Sequence, residues 1–230
     1  MHLLPTKPKP RAVVLPANLS RRRALAVAAA LLILAYPARV RAQGIVLTRA
    51  DRALVSQIEA YLNAQKGLTA NFLQVDENGT TRTGKAWLQR PGKMRFAYDP
   101  PDPQLLVAGF GLLVYHDPQL DQTTNIPLSS TPLGILLARH VDLESGSVQI
   151  TRIDKQPGQV NISLVRKGKE AAGTLTLSFS TDPLELQSWV VRDAQGRRTS
   201  VHLYDIMPGG PFPDSLFEYT QSGGPNSGGG

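Results

Sequence analysis

Cysteine is missing from this 230-residue chain, and aromatic residues make up only 6% of it. Without cysteine the protein forms no disulfide, so its stability must come from an apolar core. A hydrophobic content of 41% is enough to build one. This composition excludes a disulfide-stapled scaffold and a disordered chain, and it fits one or two globular domains.

Acidic residues are absent from the first 42 positions, where eight of the 25 basic residues lie. The rest of the chain therefore carries 25 − 8 = 17 basic and 18 acidic residues, a formal charge of −1 against +7 for the whole. A basic excess spread over a folded domain favours nucleic acid or an anionic membrane as partner. Because the excess is confined to the leader, we expect no nucleic-acid partner.

Residues 1–42 have the organisation of a signal peptide. Three arginines, Arg21 to Arg23, precede an apolar run over 24–34, and the segment ends with small residues at Val40 and Ala42. The run is shorter than the ~20 residues of a membrane-spanning helix. We predict cleavage after Ala42 by general secretory export, or by the twin-arginine route, whose signal the three arginines also resemble. Either route predicts a soluble protein outside the cytoplasm.

The pattern after the leader predicts one helix followed by many strands. Thr48 and Asp51 are spaced as a capping box, and apolar residues recur at helical spacing from about Arg49 to Gln65. Beyond this helix the period changes to two, with turn signals about every ten residues, the strongest at Asn78-Gly79. The sequence therefore predicts a mainly β protein of ten or eleven antiparallel strands that curl into a barrel.

One apolar segment interrupts the strands. Ser130, Thr131 and Pro132 resemble a helix start with a hydroxyl cap. The residues that follow are apolar on nearly every side of a helix, namely Leu133, Ile135, Leu136 and Leu137. Such a helix needs cover and is expected against the concave face of the sheet, as a core element or as a movable lid. The glycine-rich residues 221–230 are predicted to be a flexible tail.

Motifs for catalysis and for metal or cofactor binding are not recognisable. His116, His140 and His202 are too far apart in sequence to form a known metal motif. The chain also lacks a G-x-S-x-G elbow, an H-E-x-x-H helix and a phosphate-binding glycine loop. We therefore expect no enzyme, no metal and no cofactor, and a secreted lipid hydrolase is the weaker alternative.

A series of motifs in the middle of the chain resembles one family. They are LTANFLQ at 68–74, GKAWLQRP at 84–91, YDPPD at 98–102, YHDP at 115–118 and TPL at 131–133. Together they resemble the LolA family of periplasmic outer-membrane lipoprotein carriers, and the resemblance runs from about residue 47 to 217. It implies a carrier domain over 43–220, shaped as a half-open barrel whose mouth is plugged by helices.

The resemblance also implies a function, partners and site residues. A monomeric chaperone of this family takes acylated lipoproteins from an inner-membrane ABC transporter and delivers them to an outer-membrane receptor. Arg90 corresponds to an arginine that holds the lid closed by bonding backbone carbonyls. The implied acyl-chain cavity is lined by Trp87, Met94, Phe96, Leu133, Ile135, Leu136 and Leu137.

Two departures from the family pattern bear on the lid, because 108–112 replace a more polar turn and Gly134 stands where a bulky residue is usual. Other interpretations of the chain are open. An envelope-stress sensor of mislocalised lipoproteins usually has a second domain, and an outer-membrane receptor needs a lipidated cysteine. If the resemblance is set aside, Arg90 is interpreted as an ordinary surface arginine that forms an ion pair. The alternating residues Trp87, Met94 and Phe96 are then interpreted as hydrophobic core with no ligand-binding role.

Overall fold

In the computed structural model of the protein, residues 44–102 and 104–219 are described. The predicted signal peptide and the predicted tail at 221–230 lie outside these residues and stay predictions. The described part contains one α-helix, α1 (Arg49–Ala64), and eleven strands. The strands are β1 (Gly67–Asp76), β2 (Thr81–Gln89), β3 (Lys93–Tyr98), β4 (Leu105–Gly109), β5 (Leu112–Asp117), β6 (Gln122–Pro127), β7 (Val148–Gln156), β8 (Gln159–Arg166), β9 (Gly173–Thr181), β10 (Leu184–Asp193) and β11 (Arg198–Pro208).

The N-terminal helix begins where the capping box predicts. The Asp51 amide donates to Thr48 Oγ1 at 3.1 Å, and the Thr48 amide donates to an Asp51 carboxylate oxygen at 2.9 Å. These two bonds satisfy N–H groups that a helix start otherwise leaves unpaired. α1 ends at Ala64, one residue before the predicted end, and packs Val55, Ile58 and Leu62 against the core.

All eleven strands form a single antiparallel sheet. Its order is β6-β5-β4-β3-β2-β1-β11-β10-β9-β8-β7, so β6 and β7 are edges that do not pair with each other. An antiparallel sheet of this length curls, and this one stays open between its edges. The predicted fold class, a half-open antiparallel barrel of about eleven strands, is confirmed.

The chain between the two edge strands differs in detail from the predicted helix. Residues 128–139, called the lid segment below, contain two short 3₁₀ helices, Leu128–Ser130 and Pro132–Ile135. The prediction of a hydroxyl cap is wrong, because Thr131 Oγ1 donates to the Leu128 carbonyl at 3.0 Å and makes no cap bond to the helix Pro132–Ile135. Glycine at 134 disfavours a longer helix, and the backbone turns tightly there.

Gly134 allows this tight turn because it has no side chain. A Cβ at this position would lie 2.5 Å from the Leu128 carbonyl oxygen and 2.6 Å from Nη2 of Arg166. No bulkier residue fits between these groups without moving them. The departure at Gly134 therefore reflects close packing of the lid segment.

A C-terminal segment, the 3₁₀ turn Asp214–Phe217, covers part of the outer face of the sheet. Arg95 Nη1 donates to the Leu216 carbonyl at 3.1 Å, and Phe217 is almost fully buried. A Cβ on Gly109 would lie 2.4 Å from the Phe217 carbonyl oxygen. The departure in the turn after β4 thus lets the C-terminal segment lie directly on the sheet, while Phe110 in that turn is 74% exposed.

Candidate functional site

Two of the predicted cavity residues lie on the inner face of β3. Met94 pairs with Leu88 and Phe96 pairs with Ala86 on β2, and all four residues are buried. The Phe96 ring lies 4.6 Å from the Phe72 ring, centroid to centroid. Met94 and Phe96 therefore belong to an apolar layer on the concave side of the sheet.

The lid segment contributes the other side of this apolar interior. Its side chains are buried in the same hydrophobic cluster as Met94 and Phe96, and each is 7% exposed or less: Leu133, Ile135, Leu136 and Leu137. Six of the seven predicted cavity residues are thus brought together. Side chains fill the space among them, so the apolar interior is closed here.

Trp87, which the family resemblance assigned to the cavity, does not join this group. It pairs with Thr69 and Arg95, whereas its neighbours Ala86 and Leu88 face the core. Successive side chains of a strand point to opposite faces, so Trp87 lies on the outer face. There the Lys85 ammonium lies over the Trp87 ring, 5.5 Å from the ring centroid.

Arg90 follows β2 directly and connects two elements that cover the sheet. Its Nε donates to the Leu136 carbonyl in the lid segment at 2.8 Å. Its Nη1 lies 3.4 Å from the Gln65 carbonyl at the end of α1. The next turn adds a second tie to the lid segment, because the Gly92 amide donates to the Leu137 carbonyl at 2.8 Å.

The environment of Arg90 is largely apolar. Burial lowers the pKa of Arg90 to about 10, and the nearby Tyr61 opposes part of this effect. The side chain therefore remains charged at neutral pH and pairs with carbonyl dipoles instead of a carboxylate. Hydrogen bonds from a charged donor are stronger than neutral ones, so a single guanidinium can fix the lid segment.

A small cavity lies beside this arginine. It has a volume of about 20 Å³ and is lined by leucines, Leu62, Leu88 and Leu136 among them, and by polar residues that include Arg90 and Gln65. A single water needs ~10–15 Å³ measured in this way, so the closed state has no room for an acyl chain here. A long apolar ligand fits at this place only if the surrounding side chains, Leu136 and Leu137 of the lid segment among them, move.

Two residues of α1 that the sequence pattern did not single out hold the chain after the lid segment. Asn63 donates to the Val141 carbonyl and accepts from the Val141 amide, both at 2.9 Å. Glu59 accepts from the Leu143 amide at 2.5 Å. They lie four residues apart beside the buried face of α1, and this spacing does not reveal which distant groups they bond. These bonds anchor the chain after the lid segment.

Within residues 44–102 and 104–219, no cluster of three or more histidine, cysteine, aspartate or glutamate side chains is arranged to hold a metal ion. No helix in the same residues is long and apolar enough to cross a membrane. Chemically, the site offers an apolar interior, a cover with leucine side chains, and a few directional bonds that hold the cover shut. Such an arrangement suits reversible burial of hydrocarbon.

The fold and site thus define a half-open β-barrel whose apolar interior is closed by a hydrogen-bonded lid segment. The family model described as outer membrane lipoprotein carrier protein LolA matches residues 63–220. An outer-membrane lipoprotein carrier protein from Pseudomonas aeruginosa is 33% identical over 170 residues, which cover 68% of this chain and 78% of that protein. The chain belongs to the LolA family of outer-membrane lipoprotein carrier proteins.

Two further relatives carry the same name. The protein from Methylococcus capsulatus is 28% identical over 186 residues, 77% of this chain and 88% of its own length. The protein from Methylobacillus flagellatus is 29% identical over 212 residues, 88% of this chain and 97% of its own length. The family resemblance inferred from the motifs is confirmed over most of the chain.

Proposed function

We propose that this protein is a periplasmic chaperone that shields the acyl chains of outer-membrane lipoproteins beneath its lid segment. The observation that carries the proposal is the placement of Leu136. Its side chain is 1% exposed in the apolar interior, while its carbonyl accepts the Arg90 hydrogen bond. One residue therefore belongs both to the hydrocarbon-binding surface and to the latch that closes it.

The physical need for such a carrier follows from the size of the cargo's hydrocarbon. Burying a methylene group is worth ~0.8 kcal/mol, so two or three long acyl chains in water represent tens of kcal/mol. A lipoprotein with exposed chains would not cross an aqueous compartment. A carrier must also release its cargo, which favours displaceable leucine and methionine side chains over a rigid fit.

The proposed cycle has two states. In the empty state Arg90 holds the lid segment by the Leu136 carbonyl, and Met94 and Phe96 are covered. In the loaded state acyl chains occupy the interior, the lid segment is displaced, and the Arg90 bond is broken. The bond thus favours the empty state and helps to expel cargo at the receptor.

The partners in this proposal are acylated lipoproteins, an inner-membrane lipoprotein-releasing ABC transporter, and an outer-membrane receptor or the outer membrane itself. The names of the relatives support the cargo class. The protein acts as a monomer in the periplasm and performs no catalysis. N-terminal sequencing of protein from the periplasmic fraction tests the leader, and the sequence should begin at Gln43.

A binding experiment with matched variants tests the function. Purified protein is incubated with inner-membrane vesicles that hold a lipoprotein and an active transporter, and the soluble lipoprotein complex is measured. Leu136→Glu places a charge in the interior, whereas Leu120→Glu changes a leucine that is 65% exposed. We expect Leu136→Glu to lose complex formation and Leu120→Glu to keep it, with both variants folded by circular dichroism. Equal complex formation by the two variants would contradict the proposal.

A further inference from the structure

A second arginine meets the lid segment from the other side of the interior. Arg166 ends β8 and follows Ile162 and Leu164 at period two, so it shares their inner face. Its Nη2 lies where a Cβ on Gly134 would come within 2.6 Å. The lid segment therefore touches Arg166 at Gly134 and bonds Arg90 at Leu136, two residues further on.

In the closed state one of the two arginines has a hydrogen-bond acceptor for its Nε and the other does not. Arg90 Nε has a carbonyl partner, whereas Arg166 Nε is buried and has no partner among the described residues. Burial also lowers the pKa of Arg166. A buried donor without an acceptor destabilises the state that contains it. The closed state thus satisfies Arg90 and leaves Arg166 in need of an acceptor.

Arg166 lines a cavity that has room for such an acceptor. The cavity measures about 140 Å³, and the lid residues Ile135 and Ala138 form part of its wall. His140 also lines it and is exposed, so the cavity reaches solvent. This is a place where the buried interior and the surrounding water meet beside the lid segment.

The carboxylate that lines this cavity does not serve as the acceptor. Asp142 lines the same cavity, but it accepts from the Ser145 amide at 2.8 Å, from the Ser145 hydroxyl at 2.7 Å and from the Glu144 amide at 3.2 Å. The Ser145 bonds lower the pKa of Asp142 to about 2. The described residues show no ion pair between Asp142 and Arg166, so the guanidinium is open to an outside acceptor.

We infer that Arg166 binds the ester and amide carbonyl oxygens that join acyl chains to the polypeptide of the cargo. The inference rests on the proposed function, because acyl chains inside and a polypeptide outside place this linkage where the interior meets solvent. Carbonyl oxygens accept hydrogen bonds from a guanidinium and require no counter-charge. Arg90 then stabilises the empty state, and Arg166 stabilises the loaded state.

A pair of synthetic ligands isolates this contact. One is a lipopeptide with two palmitoyl chains in ester linkage to its glyceryl cysteine, and the other carries the same chains in ether linkage without the ester carbonyls. The ratio of their dissociation constants is measured for wild type and for Arg166→Met, which keeps the apolar stem of the side chain. The difference in hydration of the ligands cancels when the two ratios are compared.

We expect wild type to prefer the ester over the ether about tenfold to a hundredfold more strongly than Arg166→Met does. Arg166→Lys, which keeps the charge and one donor group, should retain part of the preference. Arg152→Met alters an exposed arginine on β7 and should leave the preference unchanged. Arg166→Met also removes an unpaired buried donor. We therefore expect the unfolding temperature of this variant without ligand to be equal to or above that of wild type.

The outcomes separate this inference from the proposed function. Unchanged ester preference in Arg166→Met and Arg166→Lys would overturn the role of Arg166 while leaving the carrier function intact. Equal weakening of both ligands would show that Arg166 merely supports the lid segment, which also overturns the inference. Failure of wild type to bind either ligand would overturn both proposals.

Discussion

Replacement of Arg90 by leucine should leave the protein able to load cargo but poor at passing it on. The change removes the donor that holds the Leu136 carbonyl at 2.8 Å in the closed state. The apolar interior proposed to bind acyl chains is unchanged, because Arg90 lies at its margin beside α1. The loaded state therefore keeps its contacts, and the empty state loses one of its own.

The size of the effect follows from that bond. A hydrogen bond from a charged donor is worth ~1.5–3 kcal/mol net, and the 3.4 Å contact with Gln65 adds little because it is near the limit of bonding distance. Since 1.4 kcal/mol is a factor of ten, the ratio of loaded to empty protein should rise about tenfold to a hundredfold. Arg90→Lys should restore only part of the loss, because an ammonium cannot reproduce the guanidinium fork.

The assay measures transfer of bound lipoprotein to its receptor at equal loading. Arg95→Leu is a matched control, because Arg95 also donates to a backbone carbonyl, that of Leu216, but on the outer face. We expect transfer by Arg90→Leu to be slowed about tenfold to a hundredfold, while Arg95→Leu transfers at the wild-type rate. Equal transfer rates for wild type and Arg90→Leu would refute the proposal that Arg90 holds the lid segment closed.

Three other predictions follow from particular contacts. Asn63→Ala removes both bonds to Val141 and should lower the free energy of unfolding by ~1–3 kcal/mol in urea titration, with an unchanged m-value. Gly134→Ala forces a methyl against backbone and should lower it by ~1–3 kcal/mol, measured by the same titration. Hydrogen bonds from Lys155 and Thr48 lower the pKa of Asp51, so its stabilisation is present above the unfolded value near 3.8 and fades as pH falls below it. Asp51→Asn should therefore be less stable than wild type at pH 7, and the gap measured by thermal unfolding should shrink towards pH 2.

Local patterns were sufficient to predict the elements of this fold. The Thr48 capping box marks the start of α1 within one residue, and period-two alternation predicts the strand content, because both depend on near neighbours in sequence. Trp87 shows the limit of such local patterns. A turn separates Trp87 on β2 from Met94 on β3, so counting alternate residues along the chain does not show whether they share a face. The pairing register shows that the two side chains lie on opposite faces of the sheet.

The contacts of the lid segment were less accessible from sequence. Arg90 was assigned its role by family resemblance, and the structure shows the carbonyl it bonds, although the latch itself stays a proposal. Asn63 reaches Val141, 78 residues away, through a side-chain contact that no local spacing encodes. The 3₁₀ geometry around Gly134 depends on Leu128 and Arg166 packing against it, which is tertiary information.

The most direct test of the central claim is site-specific photo-crosslinking during transport. A photoreactive amino acid replaces Phe96, which is 2% exposed on the inner face, or Trp87 on the outer face of the neighbouring strand. The carrier is loaded with lipoprotein and irradiated, and the crosslinked partner is identified by mass spectrometry. We expect adducts with the acyl chains of the lipoprotein from position 96 and none from position 87. Adducts from position 87 alone, or from both positions equally, would contradict the claim that acyl chains lie beneath the lid segment.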